Sequence, residues 1–412
     1  MKTNAYIAGV GMTPFGNHMG TPLRELGARA IRMALEDAGI EGADLDAAYM
    51  ANGGGALIVG QGLIAGQVAL RHAGIGKIPV INVENACASS STAAYQAAAM
   101  ITAGLHDVVL VCGFDKLYHE DKARTFAVFA AGVDVEQEGG LEAELEKIAE
   151  HEGVAIDDTP GAGRSAFMDI YALSALVHMK KYGTTQQQFA AVSAKNSYHG
   201  SLNPNAQFQQ ELSVEDVLAS REIVYPLTLP MCSPVGDGAA ALVLVSERKA
   251  RELGLKQPVR MASSVLASGW DHDSDEPTLL EHCAKTAYAE AGVSPGDLSC
   301  VELHDASAPS EIIAYEKLGL CDEGKGGELV ASGATRLGGH IPVNTSGGLL
   351  RKGHPIGATG AAQLIELTLQ LQGRAGKRQV PDARVGLAYN GGGNIGTDAA
   401  ATVVTILEKK DL

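Results

Sequence analysis

The chain has 412 residues, 46% of them hydrophobic, a length that accommodates two or three domains at roughly 150 residues each. Aromatic residues make up only 5% while glycine fills 50 positions, so the core is expected to use short aliphatic side chains at close spacing. With 32 Lys and Arg against 48 Asp and Glu the net charge is −16, and an acidic chain without a basic run is a poor partner for nucleic-acid phosphates.

No stretch offers the roughly 18 apolar residues of a membrane span. The opening MKTNAYIAGVGMTPFG runs into a strand-like Ala5–Val10 and lacks the apolar core of a signal peptide. Six cysteines without a CxxC pair make neither a disulfide framework nor a zinc site. The reading is a protein of a reducing, cytoplasmic compartment, with no membrane or nucleic-acid partner.

In chain order, the first clear unit is ALEDAGIEGADLDAAYM (34–50), the end of an amphipathic helix, a stop at Gly39, a short turn and a strand. The strand-like IPVINV then leads through a turn into the small-residue helix CASSSTAAYQAAAMI (87–101), and HDVVLVCGF (106–114) reads as a buried strand. Residues 118–218 lose this rhythm and read as an insertion of helices and loops, among them MDIYALSALVHMKKYG (168–183) and TTQQQFAAVSAKNSYHG (184–200). Within it, Asp134–Asp158 carries ten acids against one Lys, either a solvated face or a docking surface for a partner.

The early pattern then returns. AYAEAGVSPGDLSCVEL (287–303) repeats 34–50 at an offset of 253, with Gly292 in the place of Gly39; both glycines suit the left-handed position after a helix. GHPIGATGAAQLIEL (353–367) opens a second small-residue helix, and ARVGLAYNGGG (383–393) a second buried strand ending in glycine. Such alternation predicts α/β layers with mostly parallel pairing. Two like halves are expected, 1–117 with 219–249 and 256–412, related by a pseudo-two-fold axis that brings the small-residue helices together, with 118–218 inserted.

Four places could carry chemistry. Cys87, in Glu84-Asn85-Ala86-Cys87-Ala88-Ser89-Ser90, sits at a strand-to-helix turn where the helix dipole and nearby N–H groups favour a thiolate. A lone cysteine is usually a small buried hydrophobe, but the equivalent turn of the other half carries His354, and a nucleophilic thiol needs such a base. Cys112, Cys232, Cys283, Cys300 and Cys321 lack that setting and read as structural. His354 is held between Gly353 and Pro355 at a helix start. His304 ends a strand, where α/β proteins place ligands; Asp305 either orients it or caps the next helix. Tyr389-Asn390-Gly391-Gly392-Gly393 ends another strand, and its glycine amides could form an anion hole. Nothing matches a Walker or Rossmann loop.

Taken together, ENACASSS, MKKYGT, CSPVGDGAAALVLVSE, NTSGGLLRKGHPIGATGAAQ and the closing strand pair resemble the thiolases, most closely the sterol-carrier-protein-type and archaeal, acetyl-CoA acetyltransferase-like branch. The resemblance spans nearly the whole chain. It implies two duplicated βαβαβαββ halves in a five-layered αβαβα core, with an inserted loop domain that helps hold coenzyme A. It implies Cys87 as the nucleophile that takes the acyl group as a thioester and His354 as its general base. His304, in HDAS, would join His354 in binding a thioester or keto oxygen, and the amides of Cys87 and Gly391 would form a second oxyanion hole. The resemblance also implies a homodimer or tetramer, coenzyme A as substrate with no permanently bound cofactor or metal, and a small zinc-ribbon/OB-fold (DUF35-type) partner subunit that would hold any zinc.

One departure stands out. Many thiolases carry an acid/base cysteine in a CxG motif, where this chain has Tyr389; the sterol-carrier branch carries it in HDCF, where this chain has Ala306. Tyr389 is the candidate replacement, and a phenol protonates an enolate better than it abstracts a proton, which favours cleavage of a 3-oxoacyl-CoA over condensation. The alternatives are a thiolase-like retro-aldolase or an acyltransferase to another acceptor, both using Tyr389, and a non-catalytic scaffold subunit of a heteromeric complex.

Overall fold

The computed structural model describes residues 1–137, 139–155, 164–270, 276–410 and 412. Its strands among these are β1 (Lys2–Met12), β2 (Ala47–Ala51), β3 (Val80–Val83), β4 (Val108–Asp115), β5 (Glu222–Val224), β6 (Leu227–Thr228), β7 (Gly238–Ser246), β8 (Val259–Ser268), β9 (Cys300–Glu302), β10 (Val385–Gly392) and β11 (Ala401–Lys409). β5 and β6 form a small ribbon, and the other nine form one mixed sheet in the order β3-β2-β4-β7-β1-β8-β11-β10-β9.

That order is a palindrome. Outward from the middle, the N-terminal side runs first strand, last, fourth, second, third (β1, β7, β4, β2, β3). The C-terminal side runs first, last, fourth, second (β8, β11, β10, β9), and Val343, bridged in parallel to Val301, stands where a third strand belongs. The two sides meet through the antiparallel pair β1–β8. The internal repeat read from the sequence is thus a repeat of topology.

Local geometry matches as well. The helix Leu23–Ala38 ends at Gly39 (φ 68°) and a short 3₁₀ turn, Gly42–Asp44, closed by a reciprocal Glu41–Asp44 capping box. The helix Leu279–Ala291 ends at Gly292 (φ 71°) and the 3₁₀ turn Pro295–Asp297, closed by a Ser294–Asp297 box. In both, an acid three residues after the cap satisfies amides that the turn leaves unpaired.

The pairing differs from the mostly parallel expectation. β2–β3, β2–β4 and β9–β10 are parallel, but β1–β7, β1–β8, β4–β7, β8–β11 and β10–β11 are antiparallel. Only a crossover of a dozen or more residues returns a chain parallel to itself. The short link from Gly392 to Ala401 therefore turns β11 back on β10.

The small-residue helices Ser89–Thr102 and Thr359–Leu371 lie between the half-sheets, where Ala93, Ala94, Ala97 and Ala98 share one core with Ala361, Ala362, Leu364 and Ile365. A Cβ added to Gly360 would sit 2.6 Å from the Ser91 amide, so this crossing requires glycine. The helix Leu23–Ala38 covers the outer face of one half-sheet, and Leu279–Ala291 covers that of the other. Helix, sheet, paired helices, sheet, helix make the five layers, an α/β fold.

Between β4 and β5 run the helices Lys122–Ala130, Gly140–Glu152, Ala166–Tyr182, Gln186–Ser201 and Val214–Ala219. Gly140–Glu152 carries much of the acidic run. It packs Leu141, Leu145, Ile148 and Ala149 against Leu173 and Val177, with Glu142, Glu146 and Glu150 exposed; Glu138, Asp157 and Asp158 of that run lie outside the described residues. No helix among the described residues is long and apolar enough to cross a membrane.

Candidate active site

Cys87 lies in the 3₁₀ turn Ala86–Ala88 that feeds the central helix Ser89–Thr102. Ala86 adopts φ 47°, a left-handed conformation that costs a residue with a Cβ about 1–3 kcal/mol. The turn is held in it: Ala86 N–H donates to Glu84 (2.6 Å), Asn85 N–H to Ser89 Oγ (2.9 Å), and the Ser89 hydroxyl to Ala86 O (2.6 Å). The end of β10 presses on the same turn. A Cβ at Gly392 would stand 2.2 Å from Asn85 O and 2.7 Å from Ala88 N.

His354 follows the helix Gly348–Lys352 through Gly353 (φ 109°) and precedes the second central helix. Its Nε2 lies 3.2 Å from Cys87 Sγ, and its Nδ1 lies 2.7 Å from Thr359 Oγ1. His304 follows β9, with its ring edge-on to His354 at 5.3 Å between centroids. Asn390 Nδ2 donates to His304 Nδ1 (2.9 Å), while Asn390 Oδ1 accepts from the Ser91 hydroxyl (2.7 Å). The potential ligand atoms of Cys87, His304 and His354 all lie within 4.8 Å of one another. The repeat brings three residues together from sequence positions up to 267 apart.

Asp305 does not reach His304. Its carboxylate accepts from the amides of Leu349 (2.7 Å) and Leu350 (3.4 Å) and from Asn196 Nδ2 (2.8 Å). It therefore caps Gly348–Lys352, and the following helix Ala308–Lys317 is capped by Ser307.

Burial sets the charges. It pushes the Cys87 thiol up to about 12, helped by the charge of Asp115 and opposed by hydrogen bonds from the backbone N–H groups of Gly393 and of Cys87 itself. The helix terminus favours a thiolate, but the loss of solvent outweighs it. Burial pushes His304 down to about 4 and His354 well below the ordinary histidine range, with His304 and Lys352 adding to the effect. Burial also raises the Tyr389 phenol, with the charge of Asp398 adding to it. The resting site at neutral pH is a thiol, two uncharged imidazoles and a protonated phenol.

These groups line a cavity of about 520 Å³. Tyr389 folds along its strand so that its hydroxyl lies 3.1 Å from where a Cβ on Gly391 would be. Gly391 lines the cavity too, yet the neighbouring-strand amide bonded to Cys87 belongs to Gly393. Two lining residues escaped the sequence reading: Tyr171 and Cys232. Cys232, read as structural, stands beside the position of the absent cysteine, because Ser233 N–H donates to Ala306 O (3.0 Å) and Cys232 bridges Ser307. Its turn in CSPVGDG was the available signal. Arg221 brings a positive charge to the lining, and Arg164, which also lines it, is paired with Asp169.

Comparison with known proteins decides the family. Residues 5–223 match "Thiolase, N-terminal domain" and residues 271–409 match "Thiolase C-terminal domain-like". The chain belongs to the thiolase family. This thiolase-family chain is 39% identical over 398 residues to "Acetyl-CoA acetyltransferase" of Methanothermobacter thermautotrophicus, covering 95% of this chain and 97% of the relative. It is 36% identical to "Sterol carrier protein 2" of Bos taurus, over 98% of this chain and 72% of the relative. Among solved structures, "Ltp2-ChsH2(DUF35) aldolase" superposes with a TM-score of 0.76 at 25% identity, covering 98% of each chain. Family membership and the acetyltransferase match support an acyl-CoA acyltransferase.

Proposed function

We propose that the protein is a thiolase that cleaves a 3-oxoacyl-CoA with coenzyme A through an acyl-Cys87 thioester. The observation that carries the reading is the 3.2 Å contact between Cys87 Sγ and His354 Nε2, a nucleophile–base pair in the lining of the cavity.

His354 Nε2 takes the thiol proton as Sγ attacks the 3-oxo carbonyl, and the Cα–Cβ bond of the substrate breaks. The acyl group stays on Sγ, and the departing acetyl-CoA enolate takes a proton at carbon. Tyr389, which holds its proton at neutral pH, is the donor, and the His354 imidazolium restores the Tyr389 proton through the cavity. CoA thiol then attacks the thioester, losing its proton to His354, and Cys87 regains a proton as acyl-CoA leaves. His304 Nε2–H bonds the oxyanion in the first half-reaction. Amides at Cys87 and the Gly391–Gly393 segment do so at the thioester, with Gly393 the amide that meets Sγ.

The working unit is proposed as a cytoplasmic homodimer or tetramer without a permanent cofactor, and Arg221 as a partner for CoA phosphate. A DUF35-type subunit is a proposed partner because the structural relative is an "Ltp2-ChsH2(DUF35) aldolase"; any zinc would reside there. Deleting 134–158 is then expected to abolish co-purification with a small subunit.

The test is a panel of 3-oxoacyl-CoAs with free CoA, followed by loss of the thioester enolate absorbance. Turnover that vanishes in Cys87→Ala supports the reading, as does iodoacetamide labelling of the Cys87 peptide, distinct from the Cys232 peptide, with protection by acyl-CoA. Turnover by Cys87→Ala overturns it. The aldolase likeness favours a second reading, a retro-aldol cleavage using Tyr389. That reaction needs no free CoA and releases a ketone or aldehyde, so omitting CoA separates the two.

A further inference from the structure

The two site histidines are both uncharged, yet their proposed roles require opposite proton positions. His354 needs a lone pair at Nε2 to take the Cys87 proton, and His304 needs a proton at Nε2 to bond an oxyanion. Their outer nitrogens meet different partners. Thr359 Oγ1, 2.7 Å from His354 Nδ1, also donates to Pro355 O at 3.0 Å. A hydroxyl has one proton, and with that proton on a carbonyl the oxygen accepts from Nδ1–H. This arrangement satisfies every contact in the chain from Sγ–H to Nε2, from Nδ1–H to Oγ1 and from Oγ1–H to the Pro355 carbonyl. At His304, Nδ1 faces Asn390 Nδ2, which has only protons to give, so Nδ1 carries the lone pair and Nε2 the proton. The amide keeps Oδ1 toward Ser91 Oγ at 2.7 Å, and in this orientation the single Ser91 proton goes to Oδ1 rather than to Ala88 O, 2.9 Å away. Thr359 and Asn390 are buried, at 0% and 1% exposure, so bulk water does not compete.

We propose that Thr359 and Asn390 are positioning residues that impose opposite tautomers on the two histidines, making His354 the base and His304 the hydrogen-bond donor. The roles rest on the acyl-transfer reading, whereas the tautomers are observable without turnover. A consequence concerns metal. A histidine that binds zinc through Nε2 keeps its proton on Nδ1 and gives it to an acceptor. Asn390 offers Nδ1 another donor, so it holds the Cys87–His304–His354 cluster one proton away from a zinc ligand set.

The experiment is a long-range proton–nitrogen correlation spectrum of the full chain with ring-¹⁵N histidine, His304 and His354 being assigned from single His→Asn variants. The expected wild-type pattern is Nδ1–H at His354 and Nε2–H at His304. Thr359→Val, which removes the hydroxyl at similar volume, is expected to mix the His354 tautomers and lower kcat by roughly 10- to 100-fold with little change in KM, and Thr359→Ser to restore both. Asn390→Leu is expected to mix the His304 tautomers and to make Zn²⁺ inhibit at about tenfold lower concentration. The same tautomer at both histidines overturns the proposal, as does an unchanged His354 spectrum in Thr359→Val or a kcat loss that Ser does not rescue. Correct tautomers in a protein that thiolyses no 3-oxoacyl-CoA would refute the thiolase reading and leave the assignment standing.

Discussion

At Cys87, burial and a nearby base act in opposite directions, and chemistry and pH separate them. The thiolate is the reactive form, and a thiol pushed up to about 12 is almost wholly protonated at neutrality. Alkylation of the Cys87 peptide by iodoacetamide is therefore expected to rise about tenfold per pH unit from 7 to 9; a plateau near pH 7 would show a preformed ion pair with His354. Tyr389 is a second separable case. Tyr389→Phe keeps the ring that packs among Val385, Leu387 and their neighbours and removes only the hydroxyl. Loss of a general acid lowers kcat by about 10²-fold or more and slows acyl-Cys87 formation from a 3-oxoacyl-CoA with it, while exchange of the acyl group between acyl-CoA and free CoA, which needs no proton at carbon, should persist. If Phe turns over like Tyr, the acid is elsewhere in the cavity, with Cys232 next in line.

Among elements, the end of β10 constrains the Cys87 turn by direct backbone contact. In Gly392→Ala the new Cβ would overlap Asn85 O and Ala88 N, and both atoms belong to backbone, so the Cys87 turn must move. Overpacking of this kind costs about 1–3 kcal/mol of stability. Because a displacement near 1 Å lowers rate by about 10²-fold, activity is expected to fall much further than the thermal midpoint. A variant that loses both in proportion would show that the turn is not displaced.

This scale also shows what the sequence carried. The helix, glycine stop, turn and strand at 34–50 and 287–303 were legible because local chemistry fixes them: the left-handed glycine and the Asp three residues after the cap are readable letters. Cys87 and His354 were legible because they occupy equivalent turns. Asp305 was half legible, since its side chain does cap a helix, but one 44 residues away that no local pattern could indicate. The antiparallel majority was not legible either, because strand direction depends on which connections are long enough to cross over. Cys232 and Asn390 stayed hidden because their partners come from other parts of the chain, and spacing carries no information about such pairs; Thr359 lies four and five residues after its partners Pro355 and His354, so its spacing was a local signal that went unread.

For the molecule as a whole, the palindrome of strands means that the N-terminal half supplies the sulfur and the C-terminal half supplies both imidazoles. Asp115 ties the halves directly at the site, accepting from the amides of Gly53 and Gly54 on one side and Gly357 on the other. Its carboxylate is buried, and the amide of Gly357, three residues after His354, has this oxygen as its partner. Asp115→Ala would leave those donors unpaired at a cost on the order of 3 kcal/mol.

With the proposed catalytic pair Cys87 and His354 split between two repeats, turnover becomes a gauge of cohesion. Neither half holds a complete site, so any slippage along the central helices silences the enzyme before either half has lost its sheet. In a urea titration the activity midpoint should fall below the far-ultraviolet circular dichroism midpoint, and fluorescence of a probe on Cys87 should follow activity. If the two midpoints coincide, the halves and the insertion unfold as one cooperative body. Two chains, cut in the link between Leu255 and Val259 and mixed, should each be inert and recover thiolysis only on reassociation.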